Sequence, residues 1–331
     1  MKVAFLVRSM EDSSSRYRAL QYVPFLKKKG VDVSVLCHQR RWGDKLKLYN
    51  SMDRYDLVVI FRKRFTPIEF WYIRRKARKI IYDLDDAVMY RDSGSASSRS
   101  FSRRLRFSYM MRRVDAVIAG NDFLKSEVLR YNDRVVTIPT TIDLSRYSMK
   151  GTDGSGNHMT IGWIGSNSTL EYLKLVIPAI ERIYQRHPDV RFKIVCETFL
   201  DNLTVPVIKK RWTSEEEGAD LRSFDIGVMP LEDDLWSRGK CALKILQYYG
   251  VGLPVVCSPV GTNREIVKDG INGFWARDEK EWEEKLETLI EKEDLRREMG
   301  ARGRSVVEQE YSLEVNAPHL LAVLKEVMGR G

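Results

Sequence analysis

Short apolar runs of strand length recur along this chain, and the stretches between them carry apolar residues at helical spacing. In the first half the runs are Val3 to Val7, Val31 to Leu36, Leu57 to Phe61, Lys79 to Tyr82, Ala116 to Ala119 and Val135 to Ile138. In the second they are Thr160 to Ile164, Arg191 to Val195, Asp225 to Met229 and Pro254 to Cys257. Near-continuous apolar strands that alternate with helices belong to parallel sheets, because each crossover lays a helix on a sheet face and buries it. The alternation predicts an α/β chain with two Rossmann-like, doubly wound parallel sheets. Ligands of such sheets bind outside the carboxyl ends of the strands, here in the cleft between two domains.

The stretch Lys150-Gly151-Thr152-Asp153-Gly154-Ser155-Gly156-Asn157 is small and polar and reads as a linker. It sets the expected domains at 1–150 and 151–311. The helix at about 312–331, with Leu320, Leu321, Val323 and Leu324 on one side, is expected to pack back onto the first domain. Charge divides at the same place. Residues 1–150 hold 32 Lys and Arg against 16 Asp and Glu, and the remainder holds 24 against 30. At 331 residues and 43% hydrophobic content there is enough apolar material for two cores. Cys37, Cys196, Cys241 and Cys257 lack paired spacing, so neither a disulfide nor a zinc site is expected. Val3 to Val7 is cut by Arg8 and reads as a strand rather than a leader, and no apolar run reaches the ~18 residues of a spanning helix.

Residues 239–273 carry the densest chemical signal. A helix is expected from Gly239 to Gly250, followed by a turn at Gly252 and Pro254 into the strand Val255 to Cys257. A second helix is expected after Gly261-Thr262-Asn263. Amide donors at helix starts, with Lys240 and Lys244 one turn apart on the first helix, would make a diphosphate site.

This segment, with its K-x-x-Q-Y, G-x-P-V-V and V-G-x-N-x-E-I-V-x-D-G-x-N-G-F runs, resembles the family 4, or group 1, glycosyltransferases of GT-B fold. Ser15-Arg16-Tyr17-Arg18, Asp83-Leu84-Asp85-Asp86, Ala119-Gly120-Asn121, Ile138-Pro139-Thr140-Thr141-Ile142-Asp143 and Gly162-Trp163-Ile164-Gly165-Ser166 fit the same order. The resemblance covers essentially the whole chain. It implies transfer of a sugar from a nucleotide diphosphate donor, with retention of configuration and without a bound metal or other cofactor. Donor contacts fall to Gly165, Ser166, Asn167, Lys240, Lys244, Gln247, Gly261, Thr262, Asn263 and Glu265, with the two lysines assisting departure of the dianionic leaving group. Many relatives carry two glutamates eight positions apart on the lysine helix. Gly239 and Gln247 stand there in this chain. An amide can still bond a ribose hydroxyl, in neutral form. Glu265 reads either as a polar contact or as a capping residue.

Asp83-Leu84-Asp85 matches the short D-x-D of metal-dependent transferases. Its place in the basic half favours a catalytic or acceptor-side role, with Asp85 and Asp86 preferred over Asp83, against a plain strand-end turn. Arg16 and Arg18 follow the first strand and suit a phosphate or an acidic sugar. Trp212 can stack on a base or lie in the core. None of the four histidines sits in a motif.

The run Arg99 to Arg113 alternates arginines with aromatic and Met residues, and Phe101, Leu105 and Tyr109 fall at four-residue spacing. It reads either as an interfacial helix on an anionic membrane or as a surface helix with a core stripe. The expected protein is cytoplasmic, peripheral to the inner membrane face, and acts on a glycan or a lipid-linked glycan in cell-envelope polysaccharide synthesis. A non-catalytic polyanion binder and a nucleotide-sugar epimerase or hydrolase are the alternatives. A nucleic-acid partner is disfavoured, since such a binder has no need of a donor-like second half.

Overall fold

The computed structural model describes residues 1–95, 97–151, 158–200 and 203–329. It divides into two compact units. The first comprises Met1–Thr141, Asp234–Cys241 and the chain from Leu313 onward; the second comprises Ile142–Asp233 and Ala242–Ser312.

In the first unit six parallel strands, β1 (Lys2–Val7), β2 (Asp32–Cys37), β3 (Leu57–Phe61), β4 (Lys79–Leu84), β5 (Ala116–Ala119) and β6 (Val135–Thr137), stand in the order β2-β1-β3-β4-β5-β6. Val3 lies opposite both Val33 and Leu57. Alternate side chains feed two cores. Ala4, Leu6, Val58, Ile60, Ile80 and Tyr82 join one face; Val3, Phe5, Val7, Leu57, Val59, Phe61 and Ile81 join the other. Burial of both faces is why these strands read as continuous apolar runs.

The second core also takes Ala317, Leu320, Leu321, Leu324 and Val327 from the last helix, Leu313–Gly329. Its apolar side thus belongs to the first unit, with Val323 only partly buried.

The second unit holds β7 (Thr160–Ile164), β8 (Arg191–Cys196), β9 (Val207–Arg211), β10 (Ile226–Met229), β11 (Val255–Cys257) and β12 (Gly273–Trp275), all parallel, in the order β12-β11-β10-β7-β8-β9. The order reverses direction at β7 and β10, as it does at β1 and β3 in the first unit. Such switch points leave a crevice at the strand carboxyl ends.

The expected boundary at residue 150 lies too late. Ile142 is buried and donates its N–H to the Tyr311 carbonyl at 3.1 Å, Tyr147 Oη bonds buried Glu217 at 2.8 Å, and Lys150 Nζ reaches the Phe224 carbonyl at 2.7 Å. Residues 142–150 are therefore packed into the second unit rather than the first. Of the expected linker, residues 152–157 lie outside the described residues.

Candidate active site

In the second unit β7 ends at Ile164 and hands the chain to Gly165-Ser166-Asn167 at the switch point. Gly165 N–H still bonds the Val195 carbonyl at 3.0 Å, so the turn begins from a fixed strand end. Asn167 Oδ1 accepts from Thr198 Oγ1 at 2.8 Å and from Cys196 Sγ at 3.3 Å, tying the loops after β7 and β8 together. Ser166 and Asn167 are exposed.

Lys244 enters the same corner from the helix Leu243–Gly250. Its ammonium donates to Thr169 Oγ1 at 3.3 Å and lies 5.5 Å from the centre of the Trp163 ring. A cation over an indole face is held by the ring quadrupole without losing its charge. Glycine is required at 165 for this arrangement: a Cβ there would sit 2.6 Å from Lys244 Cε and 2.5 Å from the Trp163 ring. Gln247, one turn along the helix, is buried.

The helix does not begin at Gly239. A 3-10 turn covers Ser237–Gly239, Lys240 is extended, and Ala242 takes a left-handed φ of 52° before the helix starts at Leu243. That left-handed residue breaks the continuity on which a shared helix face for Lys240 and Lys244 depended. Lys244 belongs to the second unit, whereas Lys240 belongs to the first. Thr262–Ile266 is a short helix headed by Gly261 at φ 52°. Thr262 and Asn263 are buried, and Asn263 Nδ2 is spent on the Ser258 carbonyl at 3.1 Å. Glu265 is exposed. Trp212 Nε1 donates to buried Glu217 at 3.1 Å.

In the first unit the loops after β1, β3, β4 and β5 gather a second set of groups. Arg62, directly after β3, holds a φ of 53°, costly for a residue with a Cβ. Its guanidinium pairs directly with Asp86 and lies 3.8 Å from Asp12 and 3.9 Å from Asp85. Lys240 also acts on Asp86, and its ammonium lies 5.3 Å from the Trp236 ring centre. Burial pushes the Asp86 carboxyl above its ordinary value, Asp85 adds to the push, and Arg62 and Lys240 pull against it.

Asn121 fastens this corner. Its amide donates to the Lys240 carbonyl at 3.2 Å, and its Oδ1 caps the helix Asp122–Leu129 through Leu124 N–H at 2.8 Å. Cys241 Sγ reaches the Asp85 carbonyl at 3.3 Å. Gly239 lies so close to Ala87 that a Cβ would come within 2.8 Å of the Ala87 nitrogen. The position where many relatives carry a glutamate is thus closed to any side chain here, because 239 is packed on the Asp85–Ala87 turn.

Arg18 is committed elsewhere than to a ligand. It is buried, with Nε and Nη2 on the two oxygens of Asp83 at 2.9 and 2.8 Å and Nη1 on the Ile138 carbonyl at 2.8 Å. The pair locks the ends of β4 and β6. Burial still outweighs Arg18 at Asp83 and pushes its carboxyl up to about 6. Arg16 is partly exposed and lies 5.2 Å from the Tyr17 ring centre. Arg62 and Asp12 were not singled out from sequence, and Trp163 stood only within the Gly162–Ser166 run without a role of its own; the Arg62-Lys63-Arg64 run at a strand end was the available signal for the first.

Among the described residues, His187, Glu287 and Glu291 are one group spaced to hold a metal ion. Arg186 Nε already occupies Glu287 Oε1 at 2.9 Å.

Residues 158–292, which contain the Lys244 corner, match the family model "Glycosyl transferases group 1". This stretch is similar to the group 1 glycosyltransferases. Spore coat protein SA of Bacillus subtilis (strain 168) is 23% identical over 198 residues, covering 55% of this chain and 52% of that protein. The chain spans about half the length of this curated relative. Among solved structures, sucrose-phosphate synthase from Thermosynechococcus elongatus superposes with a TM-score of 0.80 at 13% identity, covering all of both chains. HepE from Anabaena, in complex with UDP and glucose, gives 0.74 at 16% identity over 98% of this chain and 99% of that one. The matched stretch therefore sits in a chain of GT-B fold, with two six-stranded parallel sheets and flanking helices.

Proposed function

We propose that the protein moves a sugar from a nucleotide diphosphate donor to an acceptor hydroxyl, with retention at the anomeric carbon and without a metal. The observation that carries this reading is Lys244, held over Trp163 beside Gly165-Ser166-Asn167 at the β7/β10 switch point of the matched stretch. The hard event in such a transfer is loss of a dianionic diphosphate while positive charge builds on the sugar carbon. A fixed ammonium beside a helix N-terminus stabilises that leaving group. Ala242 offers no capping side chain there. Gln247 meets the ribose, Gly261 and Thr262 present main-chain donors, and Ser166 and Asn167 line the approach. In the first unit Asp85 and Asp86 take hydrogen bonds from acceptor hydroxyls, and Lys240 balances their charge.

The acceptor is a glycan or lipid-linked glycan of the cell envelope, reached from the cytoplasmic side of a membrane. Support comes from the helix Phe101–Met111. Its core face is Phe107, Met110 and Met111, while Phe101 is 84% and Leu105 50% exposed among Arg103, Arg104 and Arg106. Apolar tips set among arginines suit an anionic interface. No helix among the described residues is long and apolar enough to cross a membrane.

The test is product analysis. With UDP-, GDP- and ADP-sugars offered alongside cell-envelope extract, proton NMR is expected to show one donor consumed and a new glycoside with the donor's anomeric configuration. Free sugar alone, an epimerised nucleotide sugar, or an inverted product would contradict the reading.

A further inference from the structure

Beside the Asp85–Asp86 turn the first unit carries cationic groups that make no ion pair among the described residues. Arg64 follows β3, and its Nη1 donates to the Val88 carbonyl at 3.0 Å. Arg103, on the helix after β4, donates to the Tyr90 carbonyl. Both guanidiniums are thus pinned to one loop, that of Asp85 to Tyr90, through neutral oxygens that leave their charge intact. Among the described residues, Lys63, Arg64, Arg103 and Arg106 make no ion pair. The nearby acids are engaged elsewhere: Glu69 with Lys45 at 2.8 Å, and Asp12, Asp85 and Asp86 around Arg62.

Three buried polar atoms around these groups find no hydrogen-bond partner in the protein: the hydroxyl of Tyr82, a residue with no exposed surface and with Arg64 and Asp85 among its neighbours, Oδ1 of Asp85, and, on the Lys63 side, Nε2 of His38. Buried donors are rarely left unmatched. The cations also crowd one another. Burial lowers the affinity of Arg64 for its proton, and Arg103 and Arg106 lower it further. Lys63 is lowered by burial, then by Lys45, Arg8 and Arg64, with Glu69 opposing. His38 is pushed down to about 3 by burial, with Lys63 and Lys45 acting the same way against Glu69. Like charges held together around unmatched donors favour an anionic guest. The cluster flanks β3, one of the two strands of the β1/β3 switch point.

We infer that Arg64 and Arg103, with Lys63 and the Tyr82 hydroxyl, bind an oxyanion carried by the acceptor, so that the acceptor is a phosphorylated or carboxylated glycan rather than a neutral one. A planar guanidinium matches either group with two parallel hydrogen bonds. The inference rests on reading the first unit as the acceptor side.

Binding of glucose 1-phosphate, glucuronate and methyl glucoside to the full chain, saturated with the nucleotide it prefers, tests it. Both anions are expected to bind at least tenfold more tightly than the neutral glycoside. In Arg64→Gln/Arg103→Gln their affinity is expected to fall at least tenfold, with nucleotide affinity unchanged, and Arg64→Lys/Arg103→Lys is expected to restore part of it. Equal binding of neutral and anionic probes would overturn the inference, as would undiminished anion affinity in a glutamine variant that melts like the wild type. Should that variant not fold, the wild-type affinity for glucose 1-phosphate must fall steeply with added NaCl; a flat salt response overturns the inference as well. Phosphatidylglycerol vesicles, compared with phosphatidylcholine, distinguish a lipid phosphate from a soluble one. If no nucleotide binds the wild type, the transferase reading fails, while the probes run without nucleotide still decide the oxyanion site.

Discussion

Two single residues decide how charge is held in this protein. Gly165 leaves the space that Lys244 and Trp163 fill. Gly165→Ala is therefore expected to displace the lysine, weaken nucleotide affinity several-fold and lower the melting temperature through the clash with the buried Trp163 ring, as titration and a melt would show. Arg18 is the opposite case, a buried cation whose partner is also buried. Arg18→Met strands the Asp83 carboxylate and is expected to cost about 3–5 kcal/mol in urea unfolding. Asp83 also sets a pH dependence. Its folded value of about 6 lies above the ordinary 3.8, so the folded state holds the proton more tightly than the unfolded chain. The stability it contributes is present below about pH 4 and is lost as pH rises through about 6. Relative to Asp83→Asn, the wild type is expected to lose roughly 2–3 kcal/mol across that window, measured by urea unfolding at each pH.

The elements show why part of the fold was legible and part was not. Strands buried on both faces announce themselves as apolar runs, and all ten expected strands are present within a residue or two. The two that were missed, β9 (V-I-K-K-R) and β12 (G-F-W), are the edges of the second sheet. Edge strands are short or charged because an exposed apolar edge invites aggregation, which removes the pattern a reader relies on. The lysine helix failed differently. Residues 239–243 are compatible with a helix by composition, but the packing of Gly239 on Ala87 and the left-handed Ala242 win. Gly239→Glu, which restores the side chain common among relatives, is expected to destabilise the first unit by about 1–3 kcal/mol instead of improving function. Leu324, fully buried on the last helix, is expected to cost about 2–5 kcal/mol when changed to Ala. Denaturant unfolding checks both.

For the whole molecule, the motif order anticipated the two-sheet architecture, because glycines, prolines and strand-end polar residues fall at turns that the topology demands. The chain's division into units was less accessible. Asp234–Cys241 lies in the second half of the sequence yet belongs to the first unit, and only three-dimensional packing assigns it there. Lys240 and Lys244, four residues apart, consequently belong to different units, one beside Asp86 and the other over Trp163. The central claim is that Lys244 marks a nucleotide diphosphate site in the second unit. Equilibrium titration of UDP, GDP and ADP into wild type and Lys244→Ala tests it most directly. The account predicts that one nucleotide binds the wild type selectively and binds the variant at least tenfold more weakly, as expected for loss of a charge-assisted contact worth about 1.5–3 kcal/mol. A folded wild type that binds none of them, or a variant that binds as tightly, would contradict it.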